Sequence, residues 1–317
     1  MAKVSEEPFG ALPDGTPAVL YRIEGEGVSA AVTSYGAHLV SLKLGGVETV
    51  LGHGEVGAYL DDDAYLGSLV GRVAGRIGGA AFPLDGETVA VAANAGANQL
   101  HGGPRGFSHR VLTREASGEG ALVLRLVSED GDQGFPGAVT LRVTFEARDH
   151  ALRIAYAAES TAPTPLSLTH HPYFSLGGET VTDHRLRVNA TAYTPLTEAG
   201  IPTGVVAPLP PGLQLPGGRA VKDILAALAP DPLDHGLVCP DGVDASLSGP
   251  DAAVRVTSDQ THLQVYAGHK LAAPWRPYQG LALEPQGWPD AEKHPGFPAR
   301  ILRPGEAYRR HITYAAG

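Results

Sequence analysis

Cysteine is almost missing from these 317 residues: Cys239 stands alone, so no internal disulfide can form and the paired-cysteine zinc spacings are excluded. A reducing compartment is expected. No stretch approaches the ~18 consecutive apolar residues of a membrane span, and the N-terminus, MAKVSEEPFG, has acids and a proline where a signal peptide needs an apolar core. That pattern predicts a cytoplasmic protein with no membrane partner. Positive charge is also short, with Lys+Arg 24 against Asp+Glu 34 and a formal net charge of −10. No Lys/Arg cluster reverses this locally, so the phosphate attraction that nucleic-acid binders depend on is not expected. GxGxxG before a helix, GxxxxGK[ST], GxSxG and HExxH are all missing, which removes support for nucleotide-driven chemistry, serine hydrolysis and a helical zinc motif. A neutral or cationic small molecule is the partner that fits.

What is present is globular composition, 43% hydrophobic and 18% charged, with glycine and proline making up about a fifth of the chain. Turns must be frequent. The dominant period is two: Val139, Leu141, Val143 and Phe145 alternate with Thr140, Arg142, Thr144 and Glu146, as a half-buried strand does. Leu122, Leu124 and Leu126 repeat the pattern, as do Leu152, Ile154 and Tyr156, and Val40, Leu42 and Leu44. Arg148-Asp149-His150 and Gly45-Gly46 read as hairpin connections. The one good helical candidate is Val221 to Leu228, and the proline-crowded stretch from Ala192 to Gly218 reads as a long ordered loop, either bordering a site or simply stiffened. With no linker, charge block or repeat, residues 1–317 are expected to form a single all-β domain, a large antiparallel sandwich or barrel with few short helices.

Histidine, at 13 residues, is the most telling functional residue type. His101 precedes two glycines in NQLHGG, where the backbone can turn sharply and present the ring to a ligand; a plain turn histidine reads the same way. His170 and His171 are adjacent in LTHHPYFSLGG, so in an extended segment one ring faces a cleft and the other the core. Histidines brought together from distant segments are the remaining route to a zinc site, and none is expected. Glu284 closes an apolar run in LALEPQGW, where burial would raise its pKa toward the range useful for proton transfer, unless it is a salt-bridged strand end. Asp234-His235 offers an acid beside an imidazole or an Asx-turn, and Arg72 and Arg76 lie among the glycines of GRVAGRIGG. Together these suit cofactor-free acid/base chemistry on a polyhydroxylated ligand.

The ordered set GRVAGRI, NQLHGG, GFPG, LTHHPYFSLGG, DH, LQVYAG and LEPQGWPDAEKHPGFP…LRPGEAY resembles the aldose 1-epimerases, or galactose mutarotases, from about Ser34 to Tyr314. The resemblance implies a large antiparallel β-sandwich with an open sugar-binding cleft, and interconversion of α and β anomers of a monosaccharide without a cofactor, in a monomer or homodimer. It assigns Glu284 as the base for the anomeric hydroxyl and His171, rather than His170, as the acid for the ring oxygen. His101 is implied to lie beside the ring and polarise the opening hemiacetal; Arg76, Asp234 and Gln264 are implied to hold hydroxyls. Trp275, Trp288, Phe107 and Tyr173 are candidates to stack on a sugar face or to pack in the core.

The chain departs from the family pattern at Gly75, where asparagine is frequent, at His170 for asparagine, at Gly236-Leu237 for Asn-Phe, and at Pro285 for threonine. These leave the proposed acid and base in place and leave the preferred aldose open among galactose, glucose, arabinose and xylose. Three other readings remain: a silent sugar-binding or sensing module, a hexose-6-phosphate 1-epimerase, and a glycosidase using Glu284 and Asp234. A phosphate substrate would call for extra cleft cations.

Overall fold

A computed structural model describes residues 2–317. Its largest element is a nine-stranded antiparallel sheet that runs, in spatial order, through Thr113–Gly118, Ala121–Ser128, Val139–Arg148, Ala151–Ser160, Tyr308–Ala316, Ala253–Ser258, Val243–Ser248, Arg185–Val188 and Arg219–Ala220. The period-two reading holds where it was sharpest. Val139, Leu141, Val143 and Phe145 are all fully buried, and the turn after Arg148 is made by Asp149 and His150 at φ +53° and +60°, as a tight hairpin requires.

Two smaller sheets share the facing layer. The first is a five-stranded meander, Lys3–Ala11, Pro17–Gly25, Val28–Thr33, Leu39–Leu44 and Val47–Glu48. The second has six strands in the order Tyr173–Phe174, Leu281–Gln286, His262–Tyr266, Asp234–Val238, Ala192–Thr194 and Ala207–Pro208. They meet at a bridge between Val50 and Phe174, reinforced by the Leu51 N–H donating to the Tyr173 carbonyl at 3.0 Å. Leu20, Ile23 and Val32 of the first sheet and Leu237, Leu263, Val265 and Leu283 of the second are buried. Most of these join one continuous apolar cluster with the nine-stranded sheet, which makes the molecule an all-β antiparallel sandwich.

Three details differ from the sequence reading. Val40 does not alternate inward with Leu42 and Leu44: the register shifts there, Leu39 takes the buried position, and Val40 is only partly covered. The stretch from Ala192 to Gly218 is not one loop, since it contributes the last two strands of the six-stranded sheet, Ala207–Pro208 forming its edge. The helix Val221–Leu228 is found as expected, but a five-residue helix, Val56–Leu60, is too short to show a periodic pattern. Among the described residues no helix is long and apolar enough to cross a membrane.

Candidate active site

Strand alternation decides which residues of the six-stranded sheet face outward. Leu281 and Leu283 point into the sandwich, so Ala282, Glu284 and Gln286 occupy the opposite face, and the same parity puts His262 and Gln264 beside them. The registers Gly236↔Gln264↔Glu284 and Val238↔His262↔Gln286 set these side chains in rows. They floor a cleft of about 620 Å³ that is also lined by Tyr65, Gly75, Arg76 and His101, by Thr194 of the same sheet, and by Leu196, Gly200 and Pro202 of the proline-rich stretch.

His171 reaches this floor through backbone pairing. Tyr173 pairs with Ala282, and extending that antiparallel register by two residues puts His171 opposite Glu284, on the same face. His171 Nε2 lies 3.3 Å from Glu284 Oε1, with both side chains buried. Burial, reinforced by the charge of Asp234, raises the Glu284 carboxyl well above the usual carboxylate range; burial lowers His171 to about 4. Both shifts favour the neutral forms.

His101 sits at φ +51° just before Gly102, whose backbone passes so close to Gly71 that a Cβ would lie 1.8 Å from the Gly71 carbonyl oxygen. The Gly75 N–H donates to His101 Nδ1 at 3.2 Å. Burial, then the neighbouring His171 and Arg76, hold the imidazole neutral, so its one proton is on Nε2. His101, His171 and Glu284 have ligand-type atoms within 4.8 Å of one another, a spacing that could suit a metal. The His101 tautomer opposes it, because its Nε2 presents a proton in place of a lone pair.

Arg76 lines the cleft beside Gly200, where a Cβ would come within 3.1 Å of its Nη1. Asp234 is not in an Asx-turn: it lies in a strand, and its Oδ1 accepts from Gln264 Nε2 at 2.6 Å, which presets two polar groups side by side. The six expected site residues therefore meet in one cleft.

Other candidates lie elsewhere. Arg72 is buried away from the cleft lining, donating to the carbonyls of Ser128, Glu129 and Pro136. His170 turns into the core, where Nδ1 pairs with the Tyr156 hydroxyl at 2.8 Å and Nε2 with the Ala37 carbonyl at 3.2 Å. Phe107 is in the core, and Trp288 packs on His262 and Phe297; Tyr173 and Trp275 do line the cleft. Sequence reasoning missed Tyr65, whose ring meets His101 edge-on at 4.7 Å and stacks toward His171 at 6.4 Å. Its only signal was its place just before the GRVAGRI motif.

A family model described as aldose 1-epimerase matches residues 19–315. The galactose mutarotase of Homo sapiens is 32% identical, over 99% of this chain and 98% of that protein. The aldose 1-epimerase of Escherichia coli (strain K12) is 34% identical, over 95% and 96%. Among solved structures, a galactose 1-epimerase from Lactobacillus acidophilus NCFM superposes with a TM-score of 0.89 at 24% identity, covering 100% of this chain and 99% of that one. The family model and these relatives over nearly the whole chain define a carbohydrate isomerase, and the chain belongs to the aldose 1-epimerase family. Its activity is that of the family, interconversion of the α and β anomers of a free aldose.

Proposed function

We propose that Glu284 and His171 carry out the anomer interconversion as one proton-exchanging pair. The observation that supports this most directly is their 3.3 Å contact at the buried floor of the cleft. In the reactive form Glu284 is a carboxylate and His171 an imidazolium. Glu284 takes the proton of the anomeric hydroxyl while His171 gives one to the ring oxygen; the bond from C1 to the ring oxygen breaks and the open-chain aldehyde forms. Rotation about C1–C2 exposes the other carbonyl face, and closure returns both protons.

Burial favours this direction of transfer. A raised carboxyl pKa makes Glu284 a stronger base, and a lowered imidazole pKa makes the His171 imidazolium a stronger acid. Ring opening thus converts the pair from its charge-separated to its neutral form, while its proton count and net charge are restored at closure. His101 donates from Nε2 to the opening hemiacetal, and Arg76, Asp234 and Gln264 hold hydroxyls. The cleft lining sets Asp61, Asp62 and Asp63 against Arg76 and Lys270, which favours an uncharged monosaccharide over a sugar phosphate.

The same reading takes residues 1–317 as one domain, supported by the core shared between the sheets, acting in the cytoplasm as a monomer or homodimer. The buried thiol of Cys239 and the net charge of −10 are consistent with a reducing compartment and with no nucleic-acid partner. The test is polarimetry or NMR of freshly dissolved α-glucose and α-galactose with the protein and with Glu284→Gln. Acceleration by the unmodified protein alone supports the assignment of the base; acceleration by both removes it.

A further inference from the structure

Gln286 is two residues beyond Glu284 on the same strand, so it faces the same cleft about 7 Å further along. It is 1% exposed, and among the described residues neither its Oε1 nor its Nε2 has a hydrogen-bond partner. A buried primary amide with no partner is costly to fold, and native proteins rarely keep one without a use for it. Two glycines shape its surroundings. Gly75 lies against the amide, since a Cβ there would sit in contact with Gln286 Nε2 at 3.6 Å and against the Pro289 ring at 2.9 Å. Across the sheet His262 pairs in register with Gln286, and a Cβ at Gly236 would lie 2.5 Å from its Cε1, so the ring depends on that glycine for its position.

His262 is oriented as well as buried. Thr194 Oγ1 lies 3.4 Å from the Gly236 carbonyl oxygen and 3.2 Å from His262 Nε2, which holds the ring in place whichever group donates. His262 Nδ1 is also without a partner among the described residues. A donor and acceptor amide therefore stands across from an unpartnered imidazole nitrogen, roughly one pyranose ring along from Glu284. We propose that Gln286, with His262 opposite it, forms a hydroxyl-reading subsite that sets which aldose this enzyme prefers. The subsite rests on the mutarotase reading above, and it assigns Gln286 a part in substrate recognition and none in the proton transfers.

The test replaces the amide by a side chain of similar size, Gln286→Met, with Gln286→Leu as a second version, and measures anomer interconversion on glucose and on its 2-, 3-, 4- and 6-deoxy analogues. The thermal midpoint is recorded for each protein. On glucose, KM is expected to rise about five- to tenfold with kcat within about twofold, the loss of one neutral hydrogen bond in uniform binding. The midpoint should hold or rise, since no partner loses its hydrogen bond and an amide no longer has to be desolvated. For one deoxy sugar the unmodified and variant proteins should give the same KM, which identifies the hydroxyl that Gln286 holds. An unchanged KM on glucose overturns the proposal, and so does a rise shared equally by all four deoxy sugars. A lower midpoint with unaltered discrimination would mark Gln286 as packing. If the unmodified protein accelerates none of the sugars, the mutarotase reading itself has failed, an outcome distinct from these.

Discussion

His171 and Glu284 come from strands far apart in sequence, yet one antiparallel register, extended two residues beyond Tyr173, sets them 3.3 Å apart on the cleft floor. On the proposed mechanism, in which the pair exchanges protons as a unit, removing the proton-accepting atom should abolish most of its effect. Glu284→Gln is expected to lower kcat by about 10³-fold, within the usual range for a general base. The fold should remain, because the amide matches the carboxyl in shape and a neutral carboxyl is the form that burial favours. Polarimetry at neutral pH with a circular-dichroism melt checks both parts; a variant retaining a tenth of the rate would remove Glu284 as the base.

The adjacent histidines should separate cleanly. His171→Asn is expected to lose nearly all the rate, because the imidazole that faces Glu284 at 3.3 Å is gone. His170→Asn is expected to keep kcat within a few-fold and to lose about 2–4 kcal/mol of stability, since it breaks the bonds to Tyr156 and Ala37 and leaves a gap against Phe145. Equal rate losses in the two variants would undo the assignment.

How much of this was legible beforehand follows from the range of the forces involved. Alternation along Val139–Arg148 is local, so strands and hairpins could be read directly, and the parity of His170 and His171 could be stated, though not which ring faced the core. That choice depends on pairing with Leu69 and on the Tyr156 hydroxyl, both set by tertiary contacts. Arg72 and Arg76 look equivalent in GRVAGRIGG, and only the fold shows Arg72 enclosed by the carbonyls of Ser128, Glu129 and Pro136. Tyr65 carried no pattern of its own, whereas Gln286, two residues past Glu284 in LEPQGW, shared the parity of Glu284, and only the pairing of that strand with His262 shows the face they share to be the cleft.

Asp234 reaches Glu284 through its charge and touches Gln264 directly. Its carboxylate is the second cause, after burial, that raises Glu284, so Asp234→Asn should lower the proton affinity of the pair. Both limbs of the kcat/KM profile against pH are expected to move to lower pH, while KM rises about tenfold because an amide accepts from sugar hydroxyls more weakly than a carboxylate. A pH series from 4 to 9 on α-glucose measures both effects. Limbs that stay in place would show that the charge of Asp234 does not reach Glu284.

Buried histidines make the fold sensitive to acid. His38 and His171 are lowered to about 4 and His170 and His262 to about 3, all mainly by burial, from an unfolded value near 6.5. Between those values the unfolded chain binds more protons than the native one, so this stability is present above pH ~6.5 and is lost as pH falls toward 3–4, at up to ~1.4 kcal/mol per pH unit for each ring. Glu284 works with the opposite sign: its raised carboxyl favours the fold at low pH, and that contribution falls as pH rises above the unfolded carboxylate value. Denaturant titrations should show stability dropping steeply from pH 6.5 to 4, with a shallower slope in His170→Asn. A flat profile across that window would mean the rings titrate normally in the native state.

The two arginines of GRVAGRIGG should fail in different ways when replaced by methionine. Arg72 is 2% exposed, and besides the three carbonyls it donates to the hydroxyls of Ser128 and Thr164, so Arg72→Met leaves buried acceptors without donors. About 2–5 kcal/mol of stability should be lost, with KM unchanged in whatever folded protein remains. Arg76 faces the cleft, so Arg76→Met should change stability by no more than ~0.5 kcal/mol and raise KM for glucose and galactose about tenfold or more, as expected when a charged donor to sugar hydroxyls is lost. Arg76→Lys should recover only part of that affinity, because an ammonium keeps the charge but not the planar fork that can span two hydroxyls. Full recovery by lysine would show that Arg76 acts through charge alone and that hydroxyl geometry is read elsewhere in the cleft.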